Sequence, residues 1–146
     1  MLSLTEMFAA LGAPLTNQRW SWGAERQSDG AIVLRVWQDE CSKIEGHHAV
    51  RITATEYFED KPNNLGNTER LKHVELIRAG RTVYLVMCAA VDTKVEPRAI
   101  AHFNDKEVFV GGRLFDHEGD AWVELQTRKP VSELLPNKSL KRSRDG

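Results

Sequence analysis

Apolar residues recur at helical spacing near the start of the chain, at Leu4, Met7, Phe8 and Leu11, and Gly12 and Pro14 follow as a stop. The pattern predicts a short N-terminal helix and then a loop over residues 12–17. Two further runs, residues 19–24 and 31–37, flank Gln27-Ser28-Asp29-Gly30. Asp-Gly between such runs is a strong hairpin signal, because both residues tolerate positive φ. In the second run Val33, Arg35 and Trp37 alternate with Ile32, Leu34 and Val36, so a strand here carries Arg35 and Trp37 on one face. A polar connection over residues 38–46 leads to another strand at residues 48–55.

Residues 59–67 contain Pro62, two asparagines and Gly66 and read as a loop. A helix then fits residues 68–79. Asn67 suits its cap, Glu69 its first turn and Gly80 the position just past its end, and Leu71, Val74 and Ile77 form its apolar stripe. Residues 82–91 are almost continuously apolar and predict a central strand. Pro97 interrupts the pattern, and residues 99–103 are a short strand or turn. Residues 108–115 and 121–126 predict strands joined in a hairpin across His117-Glu118-Gly119-Asp120. The sum is an α+β domain with a mostly antiparallel sheet of about six or seven strands and two helices. Consecutive hairpins favour antiparallel pairing, and so many short strands in one small domain curl into a barrel-like arrangement.

Composition narrows this picture. The chain has 146 residues, enough for one domain, expected over residues 1–131, with a basic, disordered tail over residues 132–146. A chain of this size buries roughly 68–70% of its unfolded surface and needs no disulfide or metal to fold. The formal net charge is −1, which disfavours broad binding to nucleic-acid phosphates but leaves room for a local basic rim around a pocket. No apolar stretch approaches the ~20 residues of a membrane span. Cys41 and Cys88 read as reduced thiols, and the expected location is the cytoplasm.

The tryptophans are the most suggestive feature. There are four, and Trp20 and Trp22, two apart, share a face if they lie on a strand, where Trp37 can join them. Indole faces stack on bases, and aromatic walls around a polar group make a site for a planar ligand. Core packing is the ordinary use of tryptophan and is the competing expectation. Asn17, Arg19 and Ser21 alternate with Trp20 and Trp22, Arg35 shares the face of Trp37, and Asp39 follows Trp37. A carboxylate such as Asp39 accepts from an exocyclic amine, and the arginines can hold a phosphate.

Catalytic signals are thin. His47 and His48 are adjacent, so on a strand they face opposite sides and cannot share an ion. No Cys-x-x-Cys or His-Glu-x-x-His pattern occurs, and no phosphate loop accompanies Gly111-Gly112. No metal, no cofactor and no catalytic set is expected.

The segment RLKHVELIRAGRTVYLVMCA resembles the helix–turn–strand step of the PUA-like superfamily, which includes the EVE, ASCH, YTH and SRA-type domains. The turn there often reads Gly-Asp, and here it is Gly80-Arg81. GGRLFDHEGDAWVEL resembles the closing strands of such pseudo-barrels. NQRWSWGAERQSDGAIVLRVWQDE and NLGNTERLKHVELIRAG resemble the N-terminal part of some bacterial HNH-type modification-dependent restriction endonucleases, in which a PUA-like module reads a modified base and a separate HNH domain cuts. The similarity spans residues 12–131. It implies recognition without cleavage, of DNA or RNA carrying a modified or flipped base, in an aromatic pocket built from Trp20, Trp22 and Trp37. Two other readings compete with it. One is a protein-interaction or adaptor domain of a bacterial defence or mobile-element system. The other is a small hydrolase or nuclease with Asp39, Glu40 and His47 or His48 around one point.

Overall fold

Ser3 opens helix α1 (Leu4–Ala10) in the computed structural model, which describes residues 2–135. The Ser3 hydroxyl accepts from the Glu6 amide while the Glu6 carboxylate accepts from the Ser3 amide, a reciprocal cap. Met7, Phe8 and Leu11 are wholly buried, as their spacing predicts. The Asp-Gly hairpin also forms, joining β1 (Gly23–Glu25) to β2 (Ile32–Trp37) with Gly30 at φ 74°. Strand β1 is much shorter than residues 19–24 predict. The Asn17 side chain accepts from the Arg19 amide and the Asn17 carbonyl accepts from the Ser21 amide, which folds residues 18–20 into a turn. Trp20 therefore lies in that turn and does not share a strand face with Trp22.

Residues 38–46, expected to be a simple connection, contain a second hairpin. A 3₁₀ turn at Gln38–Glu40 leads into β3 (Cys41–Ile44), which pairs with β4 (His47–Arg51) around Glu45 at φ 50° and Gly46 at φ 85°. Two successive positive φ values give the turn the twist that a two-residue hairpin needs. Glu-Gly is a weaker signal for this than Asn-Gly. Next come the short helix α2 (Thr55–Phe58) and helix α3 (Leu65–Arg78). The cap of α3 is Asn64, whose side chain accepts from the Asn67 amide, so the helix starts one turn before the predicted Asn67 cap. The remaining strands are β5 (Val83–Ala90), β6 (Ile100–Phe103), β7 (Glu107–His117) and β8 (Asp120–Pro130). The last two form the expected hairpin, with Glu118 and Gly119 at positive φ.

The described residues thus make an α+β fold of eight strands and three α-helices. The hydrogen-bonded order is β1-β2-β5-β7-β8-β4-β3, with β6 beside β5. Every pair is antiparallel except β2 with β5. The sheet curls enough to bring β2 close to β4, yet its hydrogen-bonded path stays open between β1 and β3.

Strands β2 and β5 are covered on both faces. Val33, Tyr84 and Val86 pack with α1, while Ile32, Leu34, Val83 and Leu85 pack with Val74 and Ile77 of α3. Two-sided burial explains why these strands read as nearly unbroken apolar runs. The buried stripe of α3 is Arg70, His73, Val74 and Ile77, and the predicted member Leu71 is 47% exposed. Packing continues past residue 131: a 3₁₀ turn at Val131–Leu134 buries Val131 and Leu134 beside α1. Arg26 ties this end to the beginning, donating from Nε to the Leu11 carbonyl (2.8 Å) and from Nη2 to the Leu134 carbonyl (2.9 Å). The rest of the expected tail, residues 136–146, lies outside the described residues. No helix among the described residues is long and apolar enough to cross a membrane.

His73 packs against the sheet opposite Gly23, where a side chain would collide with Leu34 and the Val33 carbonyl. Burial, and then the neighbouring Arg70 charge, pushes His73 down from 6.5 to about 4. The folded state resists a proton that the unfolded chain accepts, so this contribution to stability is complete above pH 6.5 and is lost as the pH falls toward 4. Denaturant unfolding at pH 7 and pH 5 is expected to show a loss for the wild type that exceeds the loss for His73→Leu by about 2 kcal/mol. Equal losses would refute the assignment.

Candidate functional site

Helix α3 reaches the sheet through Arg70, which is only 6% exposed. Its Nη1 donates to the Ile52 carbonyl (3.0 Å), and its Nη2 donates to the carbonyls of Trp22 (3.2 Å) and Arg35 (2.7 Å). Those carbonyls belong to the entry to β1, to β2 and to the exit from β4. One guanidinium therefore pins three chain segments at the place where the curled sheet brings β2 near β4.

A cavity of about 640 Å³ opens at this junction. Its volume lies within the range of about 300–1,000 Å³ usual for small-molecule sites. Trp22, Trp37, Tyr57 and Phe58 give it aromatic walls. Arg35 stands between the two indoles, its guanidinium carbon 5.7 Å from the Trp22 ring centre and 5.1 Å from that of Trp37. Phe58 leans on Trp22 with ring centres 5.6 Å apart, and Tyr57 meets Phe58 edge-on at 4.8 Å. Asn64 and Asn67, at the start of α3, complete the polar part of the lining.

Most charges around the cavity are matched. Arg51 binds Glu40 (2.8 Å) and Asp120 (3.3 Å). Arg98 grips both oxygens of Asp39 (2.6 and 2.8 Å) and lies 5.3 Å from the Trp37 ring centre. Lys61 pairs with Asp60. Arg35 and Arg70 have no carboxylate partner among the described residues, and the buried Nε of each has no acceptor. Burial lowers Arg35 below the usual guanidinium range. Burial and the Arg35 charge bring Arg70 down to about 9, so it stays charged at neutral pH.

Of the seven residues singled out in the sequence, four line this cavity: Arg19, Trp22, Arg35 and Trp37. Trp20 does not, and its carbonyl instead lies against Gly66. Ser21 is buried in structure, its hydroxyl bonded to Glu69 and to the Asn17 amide. Asp39 is outside the lining and serves as the clamp on Arg98. Asp39 and Glu40 face arginines, and His47 lies on the exposed part of β4 beside Glu124. Burial, helped by Asp39 and Glu40, raises the Cys41 thiol to about 11, and burial raises Cys88 equally, which leaves both unreactive as nucleophiles at neutral pH. No group of three or more metal-binding side chains occurs among the described residues.

Sequence reasoning missed Arg70, Tyr57, Phe58 and Arg98. Arg70 had a readable signal, since it falls at i, i+4, i+7 with Val74 and Ile77, on the face that must be buried. No protein-family model, curated protein or solved structure matches the chain.

Gly66 sets the position of Trp22. A Cβ at residue 66 would lie inside contact distance of the Trp22 ring and 2.8 Å from the Trp20 carbonyl. Gly66→Ala is expected to destabilise the fold by about 1–3 kcal/mol and to shift tryptophan emission. Thermal melts and emission spectra check this, and an unchanged spectrum would show that the ring is not held there.

Proposed function

We propose that the chain is a non-catalytic recognition module that accepts a modified or flipped nucleic-acid base into the cavity walled by Trp22, Trp37, Tyr57 and Phe58. The observation that carries this reading is that both indoles, with Arg35 between them, line one open cavity instead of being sealed in the core. A base presents a π-face to such walls, and the stacking energy is about 1–3 kcal/mol per base. The Asn64 and Asn67 side-chain amides supply polar groups of the kind a base edge requires. The resemblance to PUA-like domains supports the same reading and extends it to a barrel-like, bacterial base reader.

Titration with short DNA and RNA strands, each carrying one methylated base, is expected to quench tryptophan fluorescence. Tyr57 is 42% exposed, so Tyr57→Ala tests the wall without disturbing the core. It is expected to weaken binding about fivefold or more, and Trp22→Ala more strongly still. Absence of quenching by every strand of such a panel removes the proposal.

A further inference from the structure

The charge lining the cavity is lopsided. Six cationic side chains face it (Arg19, Arg35, Arg51, Lys61, Arg70 and Arg98), against the two carboxylates Glu40 and Glu96. Ion pairs account for Arg51, Arg98 and Lys61, and Arg19 is exposed to water. What remains is Arg35 with Arg70. Both are withdrawn from solvent, both lie within 6 Å of the Trp22 ring, and neither is in an ion pair among the described residues. Glu69 is close enough for its charge to act on Arg70, but it bonds Ser21 through one oxygen and forms no ion pair with either arginine.

Two neighbouring buried cations without a paired anion are unfavourable, because each has lost water and they repel one another. Arg70 offsets part of this through three carbonyls. Arg35 has only the faces of two indoles. An incoming anion relieves both. The Arg35 fork suits phosphate oxygens, while Arg70, whose Nη groups are held by carbonyls, adds its charge from behind. The start of α3 adds to this, with Asn64 and Asn67 in the same lining and the positive end of the helix dipole behind them.

Resting on the base-binding reading above, we infer that the cavity contains an anion subsite at Arg35 and Arg70, and that the phosphate of the recognised nucleotide enters together with its base. The ligand unit is a nucleoside monophosphate. It comes either free or as the phosphorylated end of a strand. The formal charge of −1 over the whole chain fits this economy, with attraction concentrated in one pocket instead of along an extended track.

The experiment compares adenosine, guanosine, cytidine and uridine with their 5′-monophosphates, by fluorescence and thermal shift, on the wild type and Arg35→Gln. Inorganic phosphate and 5′-phosphorylated against 5′-hydroxyl oligonucleotides are added as separate arms. The monophosphates are expected to bind about tenfold or more tightly than the nucleosides. Arg35→Gln is expected to abolish the ratio, so that monophosphates and nucleosides bind alike, and far-ultraviolet circular dichroism verifies that the variant folds. Competition by inorganic phosphate supports the subsite even when no base stacks, which separates its fate from that of the base reading. A preference for the mononucleotide or for the phosphorylated strand identifies the source. Nucleosides binding as tightly as monophosphates, or a ratio untouched by Arg35→Gln, would overturn the subsite while leaving base stacking intact. No response to phosphate or to any monophosphate would overturn it as well.

Discussion

Arg70 is the fastening on which this structure depends. It projects from α3 into the sheet and satisfies the carbonyls of Trp22, Arg35 and Ile52. The Trp22 carbonyl also accepts from the Arg35 amide, but the Arg35 and Ile52 carbonyls lie where ladders end and depend on the guanidinium for a donor. Left without one, each such group costs about 1–3 kcal/mol. The same residue underlies the aromatic wall of the cavity, with its guanidinium carbon 5.9 Å from the Trp22 ring centre. Fold and cavity are therefore one arrangement, held by a charge that the interior would otherwise reject.

The remaining charges follow a division of labour. Asp39 and Glu40 look like catalytic acids in the sequence, but in space they, like Asp120, hold arginines in place. Arg98, only 10% exposed although it belongs to a loop, is kept beside Trp37 by Asp39, Glu40 and Glu96. The segment that follows β5 thus becomes part of the cavity wall. Asp120 accepts from the Thr53 hydroxyl, the Thr55 amide and Arg51, which fixes the exit of β4 and the start of α2, the element that supplies Tyr57 and Phe58.

Much of this was legible along the chain. Periodicity revealed α1, the greater part of α3, the buried β5 and the two hairpins with strong turn residues, because each depends on local chemistry. The Glu45-Gly46 hairpin was hidden, since glutamate seldom adopts positive φ and its presence there reflects the pairing around it. The α3 cap was ambiguous among neighbouring asparagines, and only the completed helix selects Asn64. Half of the cavity was legible too. Trp22, Arg35 and Trp37 stand out by residue type and alternation, whereas Trp20 looked equivalent until the Asn17 side chain turned the chain away. Tyr57, Phe58, Arg70 and Arg98 come from three other segments, and their convergence is a product of sheet curvature that no local pattern encodes.

The parallel pairing of β2 with β5 bears on how the chain reaches this state. Ile32 sits beside Val83, about fifty residues downstream, and everything between must be folded away before the two central strands can meet. Closing so long a loop is entropically unfavourable until the contacts it permits are made. The hairpins of β3 with β4 and β7 with β8 and the helix α3 are local and can form early. The pairings of β5 with β2 and of β8 with β4 are the ones that must close long loops.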